Sequence, residues 1–148
     1  AKCSDIEKVI NTVTKAKAEQ YKRFDDLKTT LKTCTVRISE PDFTKIVEEL
    51  CDNAFKFSED DTSVFIETQV TENSFIFKIT DFGRGIDSNS LKEVGDYMQF
   101  ERALYEQQGL GLGLVIVKRL VELYGGQFFI QSESDQRTEV AIALPIVK

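Results

Sequence analysis

The stretch Ser39-Glu40-Pro41-Asp42-Phe43-Thr-Lys-Ile46-Val47-Glu-Glu49-Leu50-Cys-Asp-Asn53-Ala54-Phe-Lys56-Phe57-Ser58 decides the fold. Phe43, Ile46, Val47, Leu50, Ala54 and Phe57 recur at the i, i+3, i+4 spacing of a helix that turns one stripe to a core. Ser39 can cap this helix, and Pro41 suits its first turn. Working outward, Ile6, Val9, Ile10, Val13 and Ala16 are spaced through residues 4–26 as in a helix packed on one edge, and Leu31 to Ile38 alternates like a strand. Val64 to Val70 and Phe75 to Thr80 read as two strands joined at Thr71-Glu72-Asn73; Gln127 to Glu133 and Glu139 to Ile146 read as two more, joined around Ser134-Asp135-Gln136. Both pairs are expected to be antiparallel. A last helix from about Leu114 to Tyr124 should stop at Gly125-Gly126. The sum is an α/β sandwich: a mixed, mostly antiparallel sheet of about five strands with about three helices on one face. The irregular segment over residues 87–110 is the expected mobile lid.

Composition limits the chemistry. The chain has 148 residues, 25 acidic and 19 basic side chains, a net charge of −6 and no histidine. A chain of this length can bury about two thirds of its unfolded surface, which suits a single domain over residues 1–148. Without histidine there is no Ser-His-Asp or Cys-His site, no His-ligated zinc and no phosphohistidine formed within the chain. Catalysis must use carboxylates, amides, lysines, backbone or a bound metal. The acidic balance argues against coating nucleic acid, which depends on Lys and Arg displacing counterions from phosphates. Cys3, Cys34 and Cys51 lack metal-ligand spacing and read as reduced thiols of a cytoplasmic protein. No apolar run reaches the length of a membrane span, so no direct membrane insertion is expected. A start at Ala1 rather than Met is expected of a fragment of a longer protein.

Three constellations can carry chemistry. With Phe43 at zero on the helical wheel, Glu49, Asn53 and Lys56 fall near about 240°, 280° and 220°, a polar strip beside the core stripe. A carboxylate, an amide oxygen and an ammonium so spaced suit a magnesium triphosphate: the hard cation takes oxygen, the ammonium meets phosphate, and the carboxylate orients or deprotonates a nucleophile. The plain alternative is a solvated helix face. Asp81-Phe82-Gly83-Arg84-Gly85-Ile86 follows directly on a strand, where a buried Asp81 can accept a hydrogen bond from an adenine amino group and the glycines permit close approach; a glycine turn capped by Asp81 is the alternative. Asp-Phe-Gly is also a protein-kinase metal motif, but no histidine is present for the accompanying His-Arg-Asp loop and the chain is too short for that fold. Gly109-Leu110-Gly111-Leu112-Gly113-Leu114 precedes a helix, where free N–H groups and the helix dipole favour phosphate; a lid hinge is its alternative. It matches neither G-x-x-x-x-G-K-[ST] nor G-x-G-x-x-G.

In this order and spacing the three segments resemble the N, G1 and G2 boxes of the ATP-binding domain shared by gyrase, the heat-shock chaperone, histidine kinases and MutL. The resemblance covers about residues 5–147. Asn53-Ala-Phe-Lys56-Phe-Ser58 is similar to the histidine-kinase version, and Met98-Gln-Phe100-Glu-Arg102 is similar to that family's F box. The resemblance implies Mg²⁺ on Asn53, phosphate on Lys56, the adenine amino group on Asp81 with Gly83 and Gly85 giving access, and an adenine pocket walled by Phe57 and Ile86. It implies that Gly109, Leu110, Gly111, Leu112, Gly113 and Leu114 line the phosphates, with backbone from the glycines, and that Arg102 approaches the γ-phosphate on lid closure. It further implies a kinase that transfers the γ-phosphoryl of MgATP to a histidine on a separate helical dimerisation and phosphoacceptor domain, with a response regulator receiver domain as partner. Glu49 departs from the Asn or His that histidine kinases often carry four residues before the metal-binding Asn. In a kinase it would polarise the imidazole or order water; in an ATP-hydrolysing member it would be the general base. A non-catalytic nucleotide-binding module is the third reading.

Overall fold

A computed structural model describes residues 1–83, 112–133 and 137–148. Its elements are α1 (Ile6–Gln20), a short 3₁₀ turn (Phe24–Asp26), β1 (Leu27–Thr30), α2 (Glu40–Phe57), β2 (Val64–Val70), β3 (Ser74–Asp81), α3 (Leu112–Leu123), β4 (Gln127–Glu133) and β5 (Arg137–Pro145). The five strands form one sheet in the order β1-β2-β3-β5-β4. β1 runs parallel to β2, and the other three pairings are antiparallel. The expected lid lies outside the described residues, as does the turn at Ser134-Asp135-Gln136.

Period-two burial builds the sheet's inner face. Val64 and Ile66 of β2, Phe75, Phe77 and Ile79 of β3, and Val140, Ile142 and Leu144 of β5 are all buried, while Phe65, Glu67 and Lys78 turn to the other side. α2 contributes Phe43, Ile46, Val47, Leu50, Cys51, Ala54 and Phe55 to the same core, and Phe43 meets Phe75 edge to face with centroids 6.0 Å apart. Ser39 caps α2 by accepting from the Asp42 N–H at 3.3 Å. Tyr124, just past α3, donates to Asp42 and approaches the Ser39 hydroxyl at 3.2 Å, so the end of α3 is tied to the start of α2. α3 closes as expected of a glycine cap: Gly125 has φ +76, and the Gly126 N–H bonds back to the Val121 carbonyl at 2.9 Å.

Two expectations for the N-terminal part of the chain differ from the structure. Leu31 to Ile38 is not a strand; the edge strand is Leu27–Thr30, registered Leu27 to Val64. The alternating segment has lost its ladder because Thr68 Oγ1 takes both backbone groups of Lys32, at 2.6 and 2.7 Å, while Val36 makes single bridges to Cys3 and Ile146. α1 is also shorter than residues 4–26, and its buried stripe is Ile6, Val9, Ile10, Val13, Thr14 and Ala18, with Ala16 exposed. All three cysteines are free thiols, and no described helix is long and apolar enough to cross a membrane.

Candidate nucleotide site

Asp81 is the last residue of β3 and is only 5% exposed. Burial pushes its carboxyl up to about 7, against a smaller downward pull from the Arg23 guanidinium. Among the described residues no hydrogen bond reaches this carboxylate. A buried acceptor at a strand end without a donor among the described residues has the chemistry to take one from a ligand.

Gly83 explains why the chain beyond Asp81 carries glycine. A Cβ there would lie 2.2 Å from the Phe57 carbonyl oxygen and 2.6 Å from the Ser58 Cα, because Gly83 bridges to Ser58. The strand end and the C-terminal end of α2 therefore touch backbone to backbone, which brings the second motif against the first. Phe57 is half-buried at this junction, and the Lys56 ammonium lies 5.4 Å from its ring, exposed to solvent.

Asn53 is half-buried, and among the described residues nothing engages its amide. An oxygen donor held on a helix without a partner fits a hard cation. Among the described residues no cluster of three or more His, Cys, Asp or Glu is placed to hold a metal. Glu49 links the first motif to the third. Its Oε1 pairs with Lys45 Nζ at 2.8 Å, and its Oε2 lies 2.6 Å from the position of a Cβ on Gly113. The Glu49 hydrogen bond and charge raise the Lys45 ammonium's pKa.

Gly113 sits in the first turn of α3, which starts at Leu112, two residues earlier than the sequence suggests. Leu114 is fully buried in the core, so it can offer a ligand only its backbone. Arg84, Gly85, Ile86, Arg102, Gly109, Leu110 and Gly111 lie outside the described residues, as does the side chain of Leu112. The structure thus brings Glu49 to Gly113 and Phe57-Ser58 to Gly83.

Sequence reasoning missed Arg23. It is 5% exposed and donates to carbonyls and hydroxyls of the segment that ends α2. In sequence it stands in the charged run Lys22-Arg23-Phe24-Asp25-Asp26, which is indistinguishable from solvated surface. Tyr21 was likewise unread: its hydroxyl donates to Asp52 at 2.6 Å, and burial together with Asp52 pushes its pKa up to about 12. Beside Arg23 a concavity of about 540 Å³ is lined by Lys22, Asp25, Asp26, Asp60 and Asp61 among others. Its carboxylates outnumber its cations, which disfavours a polyphosphate there.

The fold and this site define a nucleotide-handling sandwich in which one helix, one strand end and one helix start converge. The chain belongs to the histidine kinase-, DNA gyrase B- and HSP90-like ATPase family, which matches it over residues 38–148. It is 32% identical over 113 residues to the signal transduction histidine-protein kinase ArlS of Staphylococcus haemolyticus, covering 75% of this chain and 25% of that protein. It is 28% identical over 148 residues to the sensor protein SrrB of Staphylococcus aureus, covering 95% of this chain and 25% of the relative. The chain thus spans about a quarter of the length of these curated relatives. Among solved structures, the mycobacterial sensor histidine kinase MprB superposes with a TM-score of 0.81 at 25% identity, over 99% of this chain and 97% of that one.

Proposed function

We propose that this chain is the ATP-binding catalytic domain of a two-component sensor histidine kinase. In this reading it acts in the cytoplasm and transfers the γ-phosphoryl of MgATP to a histidine on a separate helical dimerisation domain. A response regulator receiver domain then takes the phosphoryl group. The observation that carries the reading is the buried Asp81 carboxylate, which accepts no hydrogen bond among the described residues and is held against the end of α2, within a chain whose relatives include histidine kinases.

Asp81 accepts from the adenine amino group, and Gly83, packed on the Phe57-Ser58 backbone, holds the strand end against α2. Phe57, with Ile86 beyond the described residues, walls the ring. Lys56 meets phosphate, and the backbone around Gly109, Gly111 and Gly113 cradles it. Asn53 would hold Mg²⁺, which when bound neutralises charge on the phosphates. In the transfer the bond from the γ-phosphorus to the bridging oxygen breaks, a phosphorus–nitrogen bond forms to the imidazole, ADP leaves and the imidazole gives up a proton. Arg102 meets the γ-phosphate, and Glu49 orients the incoming imidazole. The pairing of Glu49 with Lys45 supports an orienting role over that of a free base.

The test incubates the chain with γ-labelled ATP, Mg²⁺ and a histidine-bearing phosphoacceptor domain. Acid-labile, base-stable label on the acceptor is the expected result. Free phosphate without acceptor label would instead make Glu49 the base of an ATPase, and nucleotide binding with neither product would make the chain a non-catalytic module.

A further inference from the structure

α1 ends in a turn that aims a cation inward. Lys22 takes φ 56, the Lys22 N–H bonds to the Glu19 carbonyl and the Arg23 N–H to the Ala18 carbonyl at 2.8 Å, the pattern with which a glycine normally closes a helix. The chain accepts a left-handed lysine here, and Arg23 is thereby directed under the end of α2. Its Nη1 donates to the Phe55 carbonyl at 3.0 Å and the Ser58 hydroxyl at 2.7 Å. Nη2 donates to the Thr62 carbonyl at 3.0 Å, and Nε pairs with Asp26 at 2.7 Å. The guanidinium also lies over the Phe55 ring, 5.3 Å from its centroid.

The segment so held is the one that touches the nucleotide site. Ser58 bridges to Gly83, and the Thr62 hydroxyl reaches the Phe82 carbonyl at 3.3 Å, so residues 58–62 form the bed of Asp81-Phe82-Gly83. We propose that Arg23 is a positioning residue of the adenine site, one that fixes the Phe55–Thr62 bed through its forked donors and sets through its charge how Asp81 presents to the base. Arg23 stands outside the span that matches the family, residues 38–148. The inference rests on the reading of Asp81 as the adenine acceptor.

Two properties of Arg23 act separately. A lysine keeps the charge but has no planar fork to reach the Phe55, Ser58 and Thr62 acceptors together, whereas a glutamine keeps donors and loses the charge. Asp26, from the 3₁₀ turn, and Asp60, 3.8 Å from Nε, face the guanidinium. Opposite Asp81 on β5 stands the uncharged Thr138, and the β2 register reaches only Thr80. Among the described residues Arg23 is therefore the charge that acts on the Asp81 carboxyl, which it pulls down against burial.

The experiment measures ADP affinity of the full chain by calorimetry from pH 5.5 to 8.5 for the wild type, Arg23→Lys, Arg23→Gln and Asp81→Asn. The Asp81→Asn curve serves as the reference that cancels the nucleotide's own titration. Arg23→Lys is expected to bind severalfold more weakly at every pH with the wild-type midpoint. Arg23→Gln is expected to move the midpoint to higher pH by half a unit or more. Weaker binding by both variants with an unmoved midpoint, or wild-type affinity in both, overturns the proposal while Asp81→Asn still binds weakly. Wild-type affinity in Asp81→Asn would instead overturn the adenine reading itself. Should Arg23→Gln not fold, wild-type affinity of folded Arg23→Lys would suffice to overturn the proposal.

Discussion

Replacing Asp81 by Asn should move stability and binding in opposite directions. In the apo protein the carboxyl is 5% exposed, without a hydrogen-bond donor among the described residues, and raised from 3.8 to about 7. Below pH 4 both folded and unfolded chains hold the proton, and the group costs nothing. Between 4 and 7 the unfolded chain releases it while the folded chain keeps it, so stability falls as pH rises; above about 7 both are ionised and the loss is complete. The interval between the two values corresponds to at most about 4 kcal/mol, with the attraction of Arg23 already included. Asn has nearly the same shape and no charge to bury. Apo Asp81→Asn at pH 8 should therefore be more stable than the wild type, by up to on the order of 10 °C in Tm for a chain of this size, and its stability should lose the slope between pH 4 and 7. Nucleotide affinity should fall by about 1.5–3 kcal/mol, the usual worth of a hydrogen bond to a charged acceptor, which is about 10- to 150-fold in Kd. Thermal unfolding across pH and calorimetric titration read the two effects separately. A variant that is less stable at pH 8 with the wild-type slope would refute the assignment of Asp81 as an uncompensated buried carboxylate, and unchanged affinity would remove it from the adenine site.

Asn53→Ala should abolish Mg²⁺-dependent phosphoryl transfer with little change in Tm, since the amide engages nothing among the described residues; normal transfer to an acceptor domain at ordinary Mg²⁺ would sink its role as metal ligand. Gly83→Ala forces a Cβ to within 2.2 Å of a backbone carbonyl, so the strand end and α2 must separate, at a cost of about 1–3 kcal/mol in denaturant unfolding and with weaker nucleotide binding. Ser39→Ala removes the α2 cap and a neighbour of the Tyr124 hydroxyl, and a loss of about 1 kcal/mol is expected with nucleotide affinity unchanged.

The helix over Glu40–Phe57 was legible because it has both a strong stripe and start signals, Ser39 before it and Pro41 in its first turn. β2, β3, β4 and β5 were legible to within two residues because one face of each is apolar at period two. β1 was not, because Leu27-Lys-Thr-Thr30 is an edge strand exposed over most of its length and has no face to pattern. Leu31 to Ile38 misled for the converse reason: alternation records which side chains are buried, and here the backbone partner was a threonine hydroxyl from β2 instead of a strand.

The sequence by itself determined the chemistry available. Zero histidines ruled out whole classes of catalysis, and three segments in one order, Glu49 to Ser58, Asp81 to Ile86 and Gly109 to Leu114, resembled the boxes of a nucleotide domain. These are local properties, residue types at set spacings along one element. Only the tertiary structure decided what Asp81 is and what surrounds it. Its desolvation comes from β3 lying inside the sheet, the charge that pulls on it comes from Arg23, 58 positions earlier, and its bed comes from the end of α2. Arg23 in the sequence is one more cation in a charged run. It becomes part of the site because the left-handed turn at Lys22 directs it beneath a helix end whose carbonyls need donors, and that convergence exists only once α1, α2 and β3 have packed.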